Sequence, residues 1–139
     1  MARATSSSHP DYPAAFVDSS AIIALVDRDD ASHPAAVEAY HSLVRAGYRL
    51  FTTDHVVAET FDLLSASLGV ASARQLLRDS RLAVYDVTPD DMERARASLL
   101  SRTGSQPLSM TNALSLAVME RLGVPDAFAV DPSFLAEMN

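Results

Sequence analysis

The sequence predicts an α/β domain: a central, mostly parallel sheet of four to five strands flanked by helices on both faces. Two observations carry this. Short β-branched or aromatic runs alternate along the chain with stretches of helical periodicity, the pattern of right-handed strand–helix–strand crossovers. The helical stretches are also bounded by capping residues at their starts and glycines at several of their ends.

Taken in order, "AAFVD" (14–18) reads as the first strand and runs into the helical "SSAIIALVD". "HPAAVEAYHSLVRAG" then shows helical periodicity closed by Gly47. "YRLFTT" (48–53) alternates as a strand, and "DHVVAETFDLLSASLG" follows as a helix with Asp54 as expected N-cap and Gly69 as stop. "VASARQLLRDS" is a further helix and "RLAVYDV" a strand. "TPDDMERARASLLSR" is a helix with Thr88 as cap, Pro89 in its first turn and acids beside it. After a loop over 103–109, "LSMTNALSLAVMERLG" (108–123) is a helix apolar nearly all round, which predicts burial. A short strand "AFAV" (127–130) and a turn "PSFLAEM" finish the chain.

At 139 residues and 48% hydrophobic content, the chain suits one domain with a real core, placed at 14–139. Residues 1–13, "MARATSSSHPDYP", read as a flexible N-terminal leader without the apolar centre of a secretory signal. No apolar run reaches membrane-spanning length, so a cytoplasmic protein with no membrane partner is the expectation. The absence of cysteine removes disulfides, thiolate catalysis and cysteine-ligated zinc. Eleven basic against 18 acidic residues, a net charge of −7, argue against a simple basic nucleic-acid surface. A phosphate substrate would need a cation to meet it.

In open parallel sheets ligands gather at the carboxyl ends of the strands, so polar residues just after each strand are the ones to weigh. Asp18 ends the first strand, Glu59 lies in the helix after the second, Asn112 stands near the start of the buried helix, and Asp131 closes the last strand. Each has an ordinary structural role as well. Asp18, Asn112 and Asp131 suit caps or turns, and Glu59, on the border of the polar face, interrupts a second row, Val56–Glu59–Leu63, beside the main apolar stripe Val57, Phe61, Leu64 and Leu68. Gathered at one sheet edge, like charges would raise each other's pKa unless a cation neutralised them. Carboxylate and amide oxygens suit a hard ion such as Mg²⁺, with Mn²⁺ as substitute.

The segments "FVDSSAIIAL", "FTTDHVVAETFDLL" and "LSMTNALSLAVMERLGVPDAFAVDPSF" resemble the PIN-domain family, and within it the VapC-type toxin ribonucleases of bacterial toxin–antitoxin pairs. The resemblance runs from about residue 15 through nearly the whole chain and implies a PIN-like fold for the predicted sheet. It implies Asp18, Glu59 and Asp131 as the acidic site residues, with Ser20 and Thr111 as helpers that orient ligands. The family pattern at the start of the sixth helix is Ser, a large apolar residue, Thr, then Asp, whereas this sequence has "SMTN". Asn112 therefore stands where an acid is implied, keeping a carbonyl ligand and losing a negative charge. The implied activity is Mg²⁺- or Mn²⁺-dependent hydrolysis of RNA phosphodiesters in tRNA, rRNA or mRNA, impaired to the extent that position 112 matters. The implied partners are a cognate antitoxin and a second copy of the chain. The apolar positions Val37, Tyr40, Leu43, Val44, Leu76 and Leu77 are available for such contacts or for the core. Arg28, Arg45, Arg49 and Arg102 are candidates to guide RNA, because Arg pairs with phosphate in bidentate fashion.

Rival classes lose ground on the same residues. Receiver domains and haloacid-dehalogenase-like phosphatases use an active-site lysine, and the chain has none. A dinucleotide-binding fold needs a glycine-rich first turn, which "VDSSA" lacks. The stronger rival is a catalytically silent PIN-like module that binds antitoxin or RNA without cutting.

Overall fold

The computed structural model describes residues 2–3, 13–104 and 107–138. Its five strands, β1 (Ala2–Arg3), β2 (Ala14–Val17), β3 (Arg49–Thr53), β4 (Ala83–Tyr85) and β5 (Asp126–Phe128), form one sheet in the order β1-β4-β3-β2-β5. Every pairing is parallel, with Phe16 opposite Phe51 on one side and Ala127 on the other. The expected leader lies almost wholly outside the described residues. Of its span, Ala2–Arg3 pairs with Ala83–Val84 at the sheet edge.

The helices are α1 (Ser19–Val26), α2 (His33–Arg45), α3 (Asp54–Leu68), α4 (Val70–Asp79), α5 (Pro89–Ser101), α6 (Met110–Leu122) and α7 (Pro132–Glu137). Parallel strands need crossovers, and these helices supply them. Phe16 is fully buried at the centre, edge-on to Phe51 at 5.9 Å and stacked on Phe134 of α7 at 6.2 Å. Val17, Ile22, Val56, Met119 and Phe128 complete the main core around them. A smaller cluster of Ala95, Ala113 and Leu114 joins α5 to α6. Among the described residues, no helix is long and apolar enough to cross a membrane.

Several boundaries differ from the sequence expectation, each for a local reason. Thr53, not Asp54, occupies the N-cap position of α3, and the Asp54 carboxylate instead accepts the Val87 amide at 3.1 Å. The buried face of α3 is Val56, Thr60 and Leu64, while Leu63 and Leu68 are exposed. Gly69 breaks α3 from α4 at φ +97°, a backbone conformation that L side chains rarely adopt. The third long strand shrinks to Ala83–Tyr85. The last strand is Asp126–Phe128, not 127–130, because the Val130 and Asp131 amides donate to Ser20 Oγ and Pro132 opens α7. Thr88 caps α5 as expected, and the structure adds a capping box with Asp91.

Candidate active site

The site is assembled where β2, α3, α6 and the segment after β5 meet. Asp18 follows β2 directly and caps α1, its Oδ2 accepting the Ser20 amide at 3.1 Å and the Ser20 hydroxyl at 2.6 Å. Ser20 Oγ in turn accepts the amides of Val130 and Asp131 at 3.1 and 3.2 Å. One hydroxyl thus binds the end of the first long strand to the chain leaving the last. Asp131 caps α7, with its Oδ1 accepting the Ser133 amide at 3.1 Å. Glu59, on α3, accepts a 2.5 Å hydrogen bond from Ser19 Oγ on α1.

Asn112 is not the cap of α6. Ser109 holds that position, and its hydroxyl accepts the Asn112 amide at 3.0 Å. The Asn112 side chain is buried at the third position of the helix, and no hydrogen bond ties it to another described residue. Asp18, Ser20, Glu59, Asn112 and Asp131 all line one cleft of about 550 Å³, with Ser19 and Asp30 beside them. Four carboxylates border it, and no arginine or histidine is among its described lining residues.

The electrostatics follow from this placement. Asp18 is 2% exposed, and burial raises its carboxyl above the usual carboxylate range. The hydrogen bonds from Ser20 pull it back down, and the Glu59 charge adds to the rise. Asp18 Oδ1 is buried without a hydrogen-bond partner among the described residues. An orphaned carboxylate oxygen at that depth is costly unless a cation or water meets it. Three carboxylates and a carboxamide are the oxygen donors that a hard divalent ion takes. Among the described residues, however, no three His, Asp or Glu side chains come together as a preformed metal group. Position 112 is an amide, and Glu59 and Asp131 each spend an oxygen on the protein.

Thr111 is not among the residues lining the cleft and takes part through its backbone carbonyl. That carbonyl accepts from His55 Nε2 at 3.1 Å and from Ser115 Oγ at 3.0 Å. Sequence reasoning did not single out Ser19, Asp30 or His55 as site residues, and it noted Ser109 only as the first residue of "SMTN". The available signal for His55 was its spacing of four from Glu59, which puts both on one face of α3. Of the candidate RNA-guiding arginines, Arg102 is engaged by Glu137 in a bidentate pair, at 2.9 and 3.2 Å. Arg28 lines a separate groove of about 920 Å³ between α1, α2 and α4.

A parallel α/β sheet with acidic side chains gathered beyond its carboxyl edge is the architecture of a PIN domain. The sequence matches the PIN domain over residues 15–136, and the chain belongs to that family. It is similar to the 23S rRNA-specific endonuclease VapC20 of Mycobacterium tuberculosis, strains CDC 1551 / Oshkosh and H37Rv. Identity to each is 32% over 123 residues, covering 87% of this chain and 92% of the relative. The crystal structure of M. tuberculosis VapC20, described as a sarcin–ricin loop cleaving toxin, matches with a TM-score of 0.76 at 32% identity. That match covers 88% of this chain and 93% of VapC20.

Proposed function

We propose that the chain is a divalent-metal-dependent endoribonuclease, the toxin of a toxin–antitoxin pair, and that the carboxylate cleft is its active centre. The observation that carries this is Asp18, buried with an Oδ1 that has no partner among the described residues, in the same cleft as Glu59 and Asp131. The 32% identity to a ribosomal RNA endonuclease supports the choice of substrate. Asp18 and Asp131 would hold Mg²⁺ or Mn²⁺, with Asn112 as a neutral oxygen ligand. The ion supplies Lewis-acid polarisation of a phosphoryl oxygen and charge to offset the RNA backbone. Glu59, fixed by Ser19, orients the attacking water and accepts its proton. Ser20 fixes Asp18 and the Asp131 backbone relative to one another.

The antitoxin's place is the groove between α1, α2 and α4, where Tyr40 and Val44 stand 38% and 50% exposed above a floor that includes Ile22 and Leu25. A homodimer in the cytoplasm completes the reading, checked by light scattering of the purified chain. A second reading, a PIN module that binds without cutting, is favoured by one observation: an amide at position 112 in a cleft with no preformed three-ligand group among the described residues.

Cleavage of end-labelled 23S rRNA fragments carrying the sarcin–ricin loop, beside a tRNA pool, tests both. Mg²⁺- or Mn²⁺-dependent cutting that disappears in Asp18→Ala supports the nuclease. Cutting by Asn112→Asp alone identifies a site disabled at position 112. If neither cuts while both bind RNA or antitoxin, the silent module stands.

A further inference from the structure

We infer that His55 is a positioning residue for the cleft: it clamps the peptide unit joining Thr111 to Asn112 and so sets where position 112 presents its side chain relative to Glu59. The inference rests on reading the cleft as a divalent-cation site.

His55 lies in the first turn of α3, one helical turn before Glu59. Thr53 Oγ1, fully buried, lies 2.6 Å from Nδ1. A hydroxyl donating to Nδ1 leaves the ring proton on Nε2. Burial lowers the imidazole below its ordinary range, in keeping with a neutral ring. Nε2–H then points at the Thr111 carbonyl, 3.1 Å away, with Ser115 Oγ at the same distance. Ser115 Oγ–H also donates to that carbonyl, at 3.0 Å, so that Nε2, Ser115 Oγ and the Thr111 oxygen form a compact triangle.

The N–H of this same peptide unit belongs to Asn112 and donates to Ser109 Oγ at 3.0 Å. Both polar groups of the unit are therefore held by side chains, the N–H from the cap of α6 and the C=O from α3. The first turn of a helix is where fraying begins, and here it is pinned to the helix that carries Glu59. A shift of that turn would carry position 112 with it. Misplacement of about 1 Å can cost on the order of a hundredfold in a positioned site.

The test is a double-mutant cycle read by Mn²⁺ binding, with free Mn²⁺ followed by electron paramagnetic resonance. His55→Leu is expected to weaken Mn²⁺ binding about tenfold when residue 112 is Asn, and less than about twofold in Asn112→Ala, where nothing remains to position. His55→Gln, whose amide can still donate to the Thr111 carbonyl, is expected to stay within about twofold of the parent. If His55→Leu proves unfolded by circular dichroism, the same cycle is run with Thr53→Val, which removes the hydroxyl that orients the ring and leaves the ring in place.

Equal losses in both backgrounds would reduce His55 to a structural residue and overturn the inference, as would no loss in either. Asp18→Ala separates the two failures. If the parent binds Mn²⁺ and Asp18→Ala does not, an insensitive His55→Leu sinks this inference alone. If parent and Asp18→Ala behave alike, the metal reading of the cleft falls and takes the inference with it.

Discussion

Placing a carboxylate at position 112 with Asn112→Asp should tighten Mn²⁺ binding by about ten- to a thousandfold. Residue 112 is 9% exposed and shares its cleft with Asp18, Glu59 and Asp131. Two unit charges about 4 Å apart interact by about 4 kcal/mol at an effective dielectric near 20, roughly a thousandfold, and a divalent ion doubles this, an excess set against the carbonyl oxygen that Asn112 already offers the ion. The lower bound allows for repulsion among four carboxylates and for solvent entering the cleft. Without metal the same substitution should lower the melting temperature. Asp at the third position of a helix gains about 0.3 to 1 kcal/mol from the helix dipole, less than the repulsion it meets. Adding Mn²⁺ should then raise the melting temperature of Asn112→Asp more than that of the parent, by ligand linkage. The assay is Mn²⁺ titration by calorimetry together with melting curves, with and without metal. If Asn112→Asp binds Mn²⁺ no more tightly than the parent, while Asp18→Ala abolishes binding, position 112 lies outside the cation's reach and the charge argument is wrong.

Further outcomes follow from neighbouring features. Asp18→Asn should raise the melting temperature of the metal-free protein at pH 7 while abolishing cleavage. Because burial raises the folded carboxyl, its charge costs stability as pH rises past the ordinary carboxylate range near about 4, and the gain should vanish in melts below that pH. Asp91 is wholly buried and bonded by Arg121 at 2.9 and 3.0 Å, so Arg121→Ala should cost about 3 kcal/mol in urea unfolding at pH 7. Burial alone would raise the Asp91 carboxyl, but Arg121 and Thr88 outweigh it and hold it low. The parent therefore keeps this contribution above about pH 4 and loses it as pH falls through the depressed value, and Arg121→Ala should lose less on acidification. Ser109→Ala removes the acceptor for the Asn112 amide and should cost about 1 kcal/mol by the same unfolding measurement.

The sequence by itself determined the layer architecture and the chain positions of the acidic residues. Alternation of apolar runs with helical periodicity, the Thr88–Pro89 start of α5 and the glycine stops are local signals, legible within one or two helical turns. The rule that polar residues after parallel strands face a shared edge was enough to bring Asp18, Glu59 and Asp131 together on paper. Local reading was weaker where several caps competed. Asp54 and Asn112 both suit a helix start, yet Thr53 and Ser109 occupy the cap positions. "AFAV" has strand propensity, yet Val130 and Asp131 give their amides to Ser20.

Only the tertiary structure decided how the cleft is held. Ser19 reaches Glu59 across 40 residues, His55 reaches the Thr111 carbonyl across 56, and Ser20 reaches Asp131 across 111. No local propensity encodes such pairs, because they exist only once the β2–β3 and β2–β5 registers bring the helices to the same edge. Whether Glu59 is a solvated helix residue or a member of the cleft, and whether Asn112 is a cap or a side chain facing the cleft, are settled by that closure. Burial then does the rest, since a carboxylate oxygen removed from water must find a partner or shift its charge.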